Sequence, residues 1–315
     1  MLDPQLQETL RSVVGPALAA AILFSLLWRP WRRVGGERQP MAPWPWLAGV
    51  TLGGAFVASW LIAQGFHGLW PVDTTRRIVW APVLGIVVAG LAMASGRWRA
   101  IALPAVVLLG SFLLTWMLTE HRRQPGRWEG AWVAVWTAAW TLGVAGAWLG
   151  LVWTCVRRPG PLLPLVLSFA ATALALVVTR AGVASLGQMG GVVSAWLGFV
   201  FLVALLNRSF TLAPVGAHVL AACLLSIVLL GYTTAPTPRP HTGLGVALLI
   251  PLIALPGALL WGSGERAVRG GRNRRLIRCL VADAIMLIVV GGGAVLLSAP
   301  PESESDEPDL ESLYG

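Results

Sequence analysis

The chain has 315 residues, is 56% hydrophobic and only 12% charged. A soluble domain carries about 25% charged residues, and no segment here has that composition. The formal charge of +9 comes from 23 basic residues, all of them arginine. They flank apolar runs, where arginine anchors helix ends and meets anionic headgroups. Nucleic acid is therefore excluded as a partner, and membrane lipid is expected.

The first apolar run is 12–28. Asp3, Glu8 and Arg11 precede it, and Arg29, Arg32, Arg33 and Arg38 follow it. A cleaved signal peptide carries the opposite bias. The run reads as an uncleaved helix with its C-terminal end toward the cytoplasm. The second run is 43–63, the third 78–94 and the fourth 101–118, with Pro104 near its start.

The fifth run, 131–153, is the most distinctive, and the chain reads as organised around it. Trp128, Trp132, Trp136 and Trp140 are spaced four apart along it and before it. Each four-residue step drifts by about 40° around a helix, so the four share one broad face. Gly143, Gly146 and Gly150 continue that face. It is bulky in its first half and bare in its second, where a neighbour can approach closely. Trp132, Trp136, Trp140 and the three glycines are expected to line a cavity. The duller alternative is tryptophan at the membrane interface and glycine as a common residue of membrane helices.

The sixth run is 162–179 and the seventh 191–206, preceded by a mildly polar stretch at 181–190. The eighth is 215–232. The ninth, 244–261, contains Pro251 and Pro256. Proline removes a backbone donor and bends a helix, so these two and Pro104 are expected helix breaks. The tenth is 279–298. Each run is near the length that crosses about 30 Å of hydrocarbon. The fold class is all-α, a polytopic membrane helical bundle of about ten transmembrane helices. Residues 1–298 read as one transmembrane domain. The tail at 299–315 holds six acidic residues and no basic one, and is expected to be disordered.

Most arginines fall in the odd-numbered connectors, chiefly the first and ninth. By the positive-inside rule both termini lie outside the cytoplasm, in a plasma (inner) membrane. Arg266, Arg269, Arg272, Arg274, Arg275 and Arg278 then form a basic patch on the cytoplasmic membrane surface.

Asp283 is the only acidic residue inside a predicted span. A carboxylate in hydrocarbon needs a partner or water. Arg278 is five residues away, badly placed in angle. His218, at a similar depth in the eighth run, is the expected partner, and the pair would relay a proton or bind a cation. Ser168, Thr172, Thr115, Thr141 and Ser226 are expected to bond back to their own helices. Cys155, Cys223 and Cys279 read as buried small hydrophobes. His67, His121 and His241 have no short ligand spacing, so no metal is expected. No cofactor motif is present: GSGERAVRGG lacks the Lys-Ser/Thr of a phosphate loop.

Three function classes follow. The first is a small-solute permease with proton coupling, resting on the many helices, Asp283 with His218, and the interrupted ninth run. The second is a non-catalytic membrane scaffold or subunit of a membrane complex, with a protein partner. An enzyme acting on lipid is least favoured, because no acid, base and nucleophile set converges.

Overall fold

The computed structural model describes residues 4–28, 44–66, 73–96, 99–123, 130–158, 160–206, 210–212, 214–234, 240–262 and 272–298. Among them, ten helices are long and apolar enough to cross a membrane. They are α1 (Gln7–Trp28), α2 (Leu47–Gln64), α3 (Thr74–Ala94), α4 (Ala100–Leu118), α5 (Ala131–Arg157), α6 (Leu162–Arg180), α7 (Ala184–Ala204), α8 (Val215–Thr234), α9 (Gly243–Leu260) and α10 (Leu276–Leu297). The chain is an all-helical, multi-pass membrane protein. The acidic tail at 299–315 lies outside the described residues.

The bundle is built around α8, not around the tryptophan-rich α5. The apolar window of α8 is 94% buried, against 56% for α5. Every residue of α8 from Val215 to Gly231 is buried. Its neighbours include α2, α3, α5 and α7. Lipid tails are as apolar as leucine, so helices are held together here by close packing. Small residues provide it. A Cβ on Gly85 of α3 would lie 2.7 Å from the Cα of Val219. One on Gly49 of α2 would lie 2.6 Å from Val215 Cγ1, and one on Gly216 2.9 Å from Ala48 Cβ. Hydropathy alone does not mark this central helix, because a lipid-facing run is equally apolar.

The α6–α7 hairpin is also tightly packed. Gly182, at φ 86°, turns the chain through a conformation that favours glycine. α7 then starts at Ala184 rather than at residue 191. The mildly polar stretch is helical because Gly187 and Gly190 let α7 lie against α6. A Cβ on Gly190 would sit 2.9 Å from Ala175 Cβ. Deeper in, the Ser168 and Thr172 hydroxyls of α6 meet the Ser194 hydroxyl of α7 at 3.1 Å and 2.7 Å.

The three prolines behave differently. Helix Arg99–Leu118 runs uninterrupted through Pro104, so the break expected there is absent. Pro104 sits close to the helix start, and the one carbonyl it leaves without a helical donor is that of Ala100, near the membrane edge. In α9 the helix Pro240–Ala247 stops, a 3-10 turn at Ile250–Leu252 holds Pro251, and a second helix, Leu255–Gly262, starts with Pro256 in its first turn. Proline fits a first turn because the donor it lacks has no helical acceptor there.

Candidate functional site: a buried ion pair at the interrupted helix

The second half of α9 meets the end of α5 and the first part of α10. α5 ends at Arg157, and Arg158 leaves the helix with φ −123° and ψ 72°. Its amide donates to Thr154 O at 3.0 Å. The next glycine, Gly160, has φ 119°, and its amide donates to Phe210 O at 2.7 Å. This turn separates two adjacent arginines. Arg157 is exposed and lies over the Trp153 ring, 5.2 Å from its centroid. Arg158 points inward and is only 4% exposed.

Inside, the Arg158 guanidinium donates from Nη1 to Asp283 Oδ2. The Gly257 amide donates to the other carboxylate oxygen, Oδ1, at 3.0 Å. Asp283 is 1% exposed. Both carboxylate oxygens are therefore satisfied, one by a charge and one by a backbone dipole. That is how a buried carboxylate is tolerated at membrane depth. Position 257 admits only glycine comfortably: a Cβ there would overlap Arg158 Nη1 and both oxygens of Asp283.

Thus the partner of Asp283 is Arg158, not His218. Arg158 sits at the end of an apolar run, where an arginine ordinarily turns to headgroups. The signal that reveals it is the Arg-Arg-Pro-Gly sequence, which carries the second arginine past the helix end. His218, 2% exposed, is engaged elsewhere: its Nδ1 accepts from Trp148 Nε1 of α5 at 3.1 Å. In the neutral ring this leaves the hydrogen on Nε2. Trp148→Phe removes that donor from a buried acceptor. It is expected to cost about 1–3 kcal/mol, measured by unfolding of the detergent-solubilised protein, with Trp132→Phe on the exposed face as the near-neutral control.

The aromatic–glycine face of α5 does not form one continuous lining. Trp132 and Trp136 are 64% and 40% exposed. Trp140 is buried against Tyr232 of α8, with ring centroids 4.5 Å apart. Gly143 and Gly150 are covered by Leu248 and Leu252 from the interrupted part of α9, and Gly146 has open space above it. The bare half of α5 thus receives a neighbouring chain, as small residues allow, but the occupant is the broken helix and not a cavity. Trp128 lies outside the described residues.

Of the basic patch, Arg266 and Arg269 lie outside the described residues; Arg272, Arg274, Arg275 and Arg278 stand at the start of the helix Arg272–Met286, where Arg278 is exposed. His67 also lies outside the described residues. At the other end of the bundle, Arg77 of α3 pairs with Glu120, just after α4, and Arg122 Nε donates to Thr233 O of α8 at 2.7 Å. A cavity of about 420 Å³ lies beside that pair, walled by Trp80, Leu84, Val87, Leu113, Trp116 and Met117. Among the described residues no three His, Cys, Asp or Glu side chains gather in a metal-binding group. Comparison of the chain with protein-family models and with curated proteins finds no match.

Proposed function

We propose that this multi-pass protein acts as a non-transporting scaffold or subunit of a membrane complex. We place it in the plasma (inner) membrane with both termini outside the cytoplasm, on the arginine distribution alone. The observation that supports the scaffold reading is the packing of α8. A helix occupies the bundle axis and touches its neighbours through glycines, where a solute path would need space. The described cavities instead lie on the flank formed by α3, α4 and α5 and are walled mainly by apolar side chains. In this reading Arg158–Asp283 is a clamp that fixes the interrupted α9 against α5 and α10.

A permease with proton coupling is the second reading. The observation in its favour is the ion pair at a broken helix, since transporters build sites at such breaks. Protonation of Asp283 would release Arg158 and free α9 to move.

Purified full-length protein in sealed vesicles with an internal pH dye separates the two. The expected result is proton leak equal to that of empty vesicles, in the native protein and in Asp283→Asn alike. Faster proton entry with the native protein that Asp283→Asn abolishes would overturn the scaffold reading.

A further inference from the structure

Hydroxyls in a membrane helix ordinarily bond back to the carbonyl one turn earlier. Thr51, Thr119, Thr154, Thr172, Thr179, Thr233 and Thr234 all do so. Ser59, Ser168 and Ser194 bond across to a neighbouring helix instead, Ser168 against the back-bonding expected of it, and four hydroxyls have neither kind of partner. Ser111 and Thr115 of α4, and Thr137 and Thr141 of α5, are buried and have no hydrogen-bond partner among the described residues. Thr115 and Thr141 thereby depart from the back-bonding expected of them. All four stand on the two helices that wall one groove.

That groove has a volume of about 890 Å³. α4 contributes Leu108, Leu109, Phe112 and Trp116, and α5 contributes Ala134, Thr137, Ala138 and Thr141. Alanines leave the α5 wall low, and no described residue fills the space. Thr137 and Thr141 are only 6% and 7% exposed, yet they line it. The volume is within the range of about 300–1,000 Å³ typical of small-molecule sites.

We propose that this groove binds an uncharged, lipid-soluble ring compound with two carbonyl acceptors, of the quinone class. Its wall residues carry no charge, so a charged group gains nothing there. The unused groups are hydroxyls, which donate to carbonyl oxygens. Thr137 and Thr141 are one helical turn apart, about 6 Å along the axis, close enough for both hydroxyls to serve acceptors on one ring compound. Phe112 and Trp116, stacked with centroids 5.8 Å apart, offer flat apolar faces at the same groove. Depth argues against a phospholipid. Thr141 lies about 16 Å below Gly130 along α5, near the middle of a hydrocarbon layer about 30 Å thick. Phospholipid ester carbonyls stay at the interface; a quinone carries its acceptors inward.

The test is equilibrium binding of tritiated decylubiquinone to the full chain in phosphatidylcholine nanodiscs. The expected result is saturable binding at one site per chain. Thr137→Val with Thr141→Val keeps side-chain shape and is expected to weaken binding about tenfold or more, the loss of two hydrogen bonds. Thr172→Val, whose hydroxyl is already bonded, is expected to leave it unchanged. Ala138→Phe, which fills the groove, abolishes binding if the site is here, and its melting temperature reports whether the fold survives. Absence of saturable binding, or equal binding by the double valine variant, overturns the proposal. So does disulfide cross-linking of a Leu109→Cys variant to a second copy of the chain under the same conditions, which would make the groove a helix–helix interface.

Discussion

Asp283→Ala is expected to destabilise the protein by about 3–5 kcal/mol, the cost of leaving a buried charge without its partner. Arg158, 4% exposed, would face the Gly257 amide, two donors with no acceptor between them. Arg158→Ala is expected to cost a similar amount, because it leaves the carboxylate with one amide. The informative variant is the double one. Arg158→Met with Asp283→Leu removes both charges while keeping volume, and replacements of that kind are neutral or stabilising by about 1–4 kcal/mol, offset here by about 1–3 kcal/mol for the Gly257 amide left without its acceptor. Reversible unfolding in mixed micelles measures all three. If the double variant is as unstable as either single one, groups beyond the Gly257 amide depend on the pair. If Asp283→Ala is neutral, the carboxylate does not hold Arg158 in the folded protein.

Gly85→Ala is expected to cost about 1–3 kcal/mol, and Gly85→Val more, through overpacking. The added Cβ would press on backbone: Val219 Cα at 2.7 Å and His218 O at 3.0 Å. No rotamer change relieves such a contact, so α3 and α8 must move apart, and the Trp148–His218 bond moves with them. Gly146→Ala is the matched comparison. It lies in a membrane helix with nothing within 4 Å of a Cβ, and alanine improves helix propensity by up to about 1 kcal/mol. Equal melting temperatures for the two variants would refute the close approach of α3 to α8.

The membrane bundle was legible from sequence because run length is set by bilayer thickness, a constraint that leaves few alternatives. The interruption around Pro251 and Pro256 is legible because proline acts on its own helix, but the same rule fails at Pro104, which sits too close to a helix start to interrupt it. The other failures concern what one helix does to another. In sequence Arg158 is one more arginine flanking an apolar run, and only the turn after α5 separates it from the exposed Arg157. His218 matches Asp283 in depth along the helix, a coordinate that says nothing about which neighbours lie alongside. Thr115, Thr141 and Ser168 depart from the common behaviour of helical hydroxyls because what faces them is set by the neighbouring helix. The dominance of α8 was invisible because nothing in its hydropathy distinguishes it from α4, whose window is 33% buried.

The burial of α8 also bears on biogenesis. Helices of a membrane protein insert one after another and associate afterwards. α2 and α3 are made well before α8, yet their glycines fit against it. From Gly85 to Val219 the ribosome needs on the order of ten seconds at roughly 5–20 residues per second. Over that interval the glycine faces of α2 and α3 lack the helix they fit. The late arrival of one helix therefore sets when the whole bundle can close, and a truncation just before residue 215 leaves seven inserted helices without a common centre.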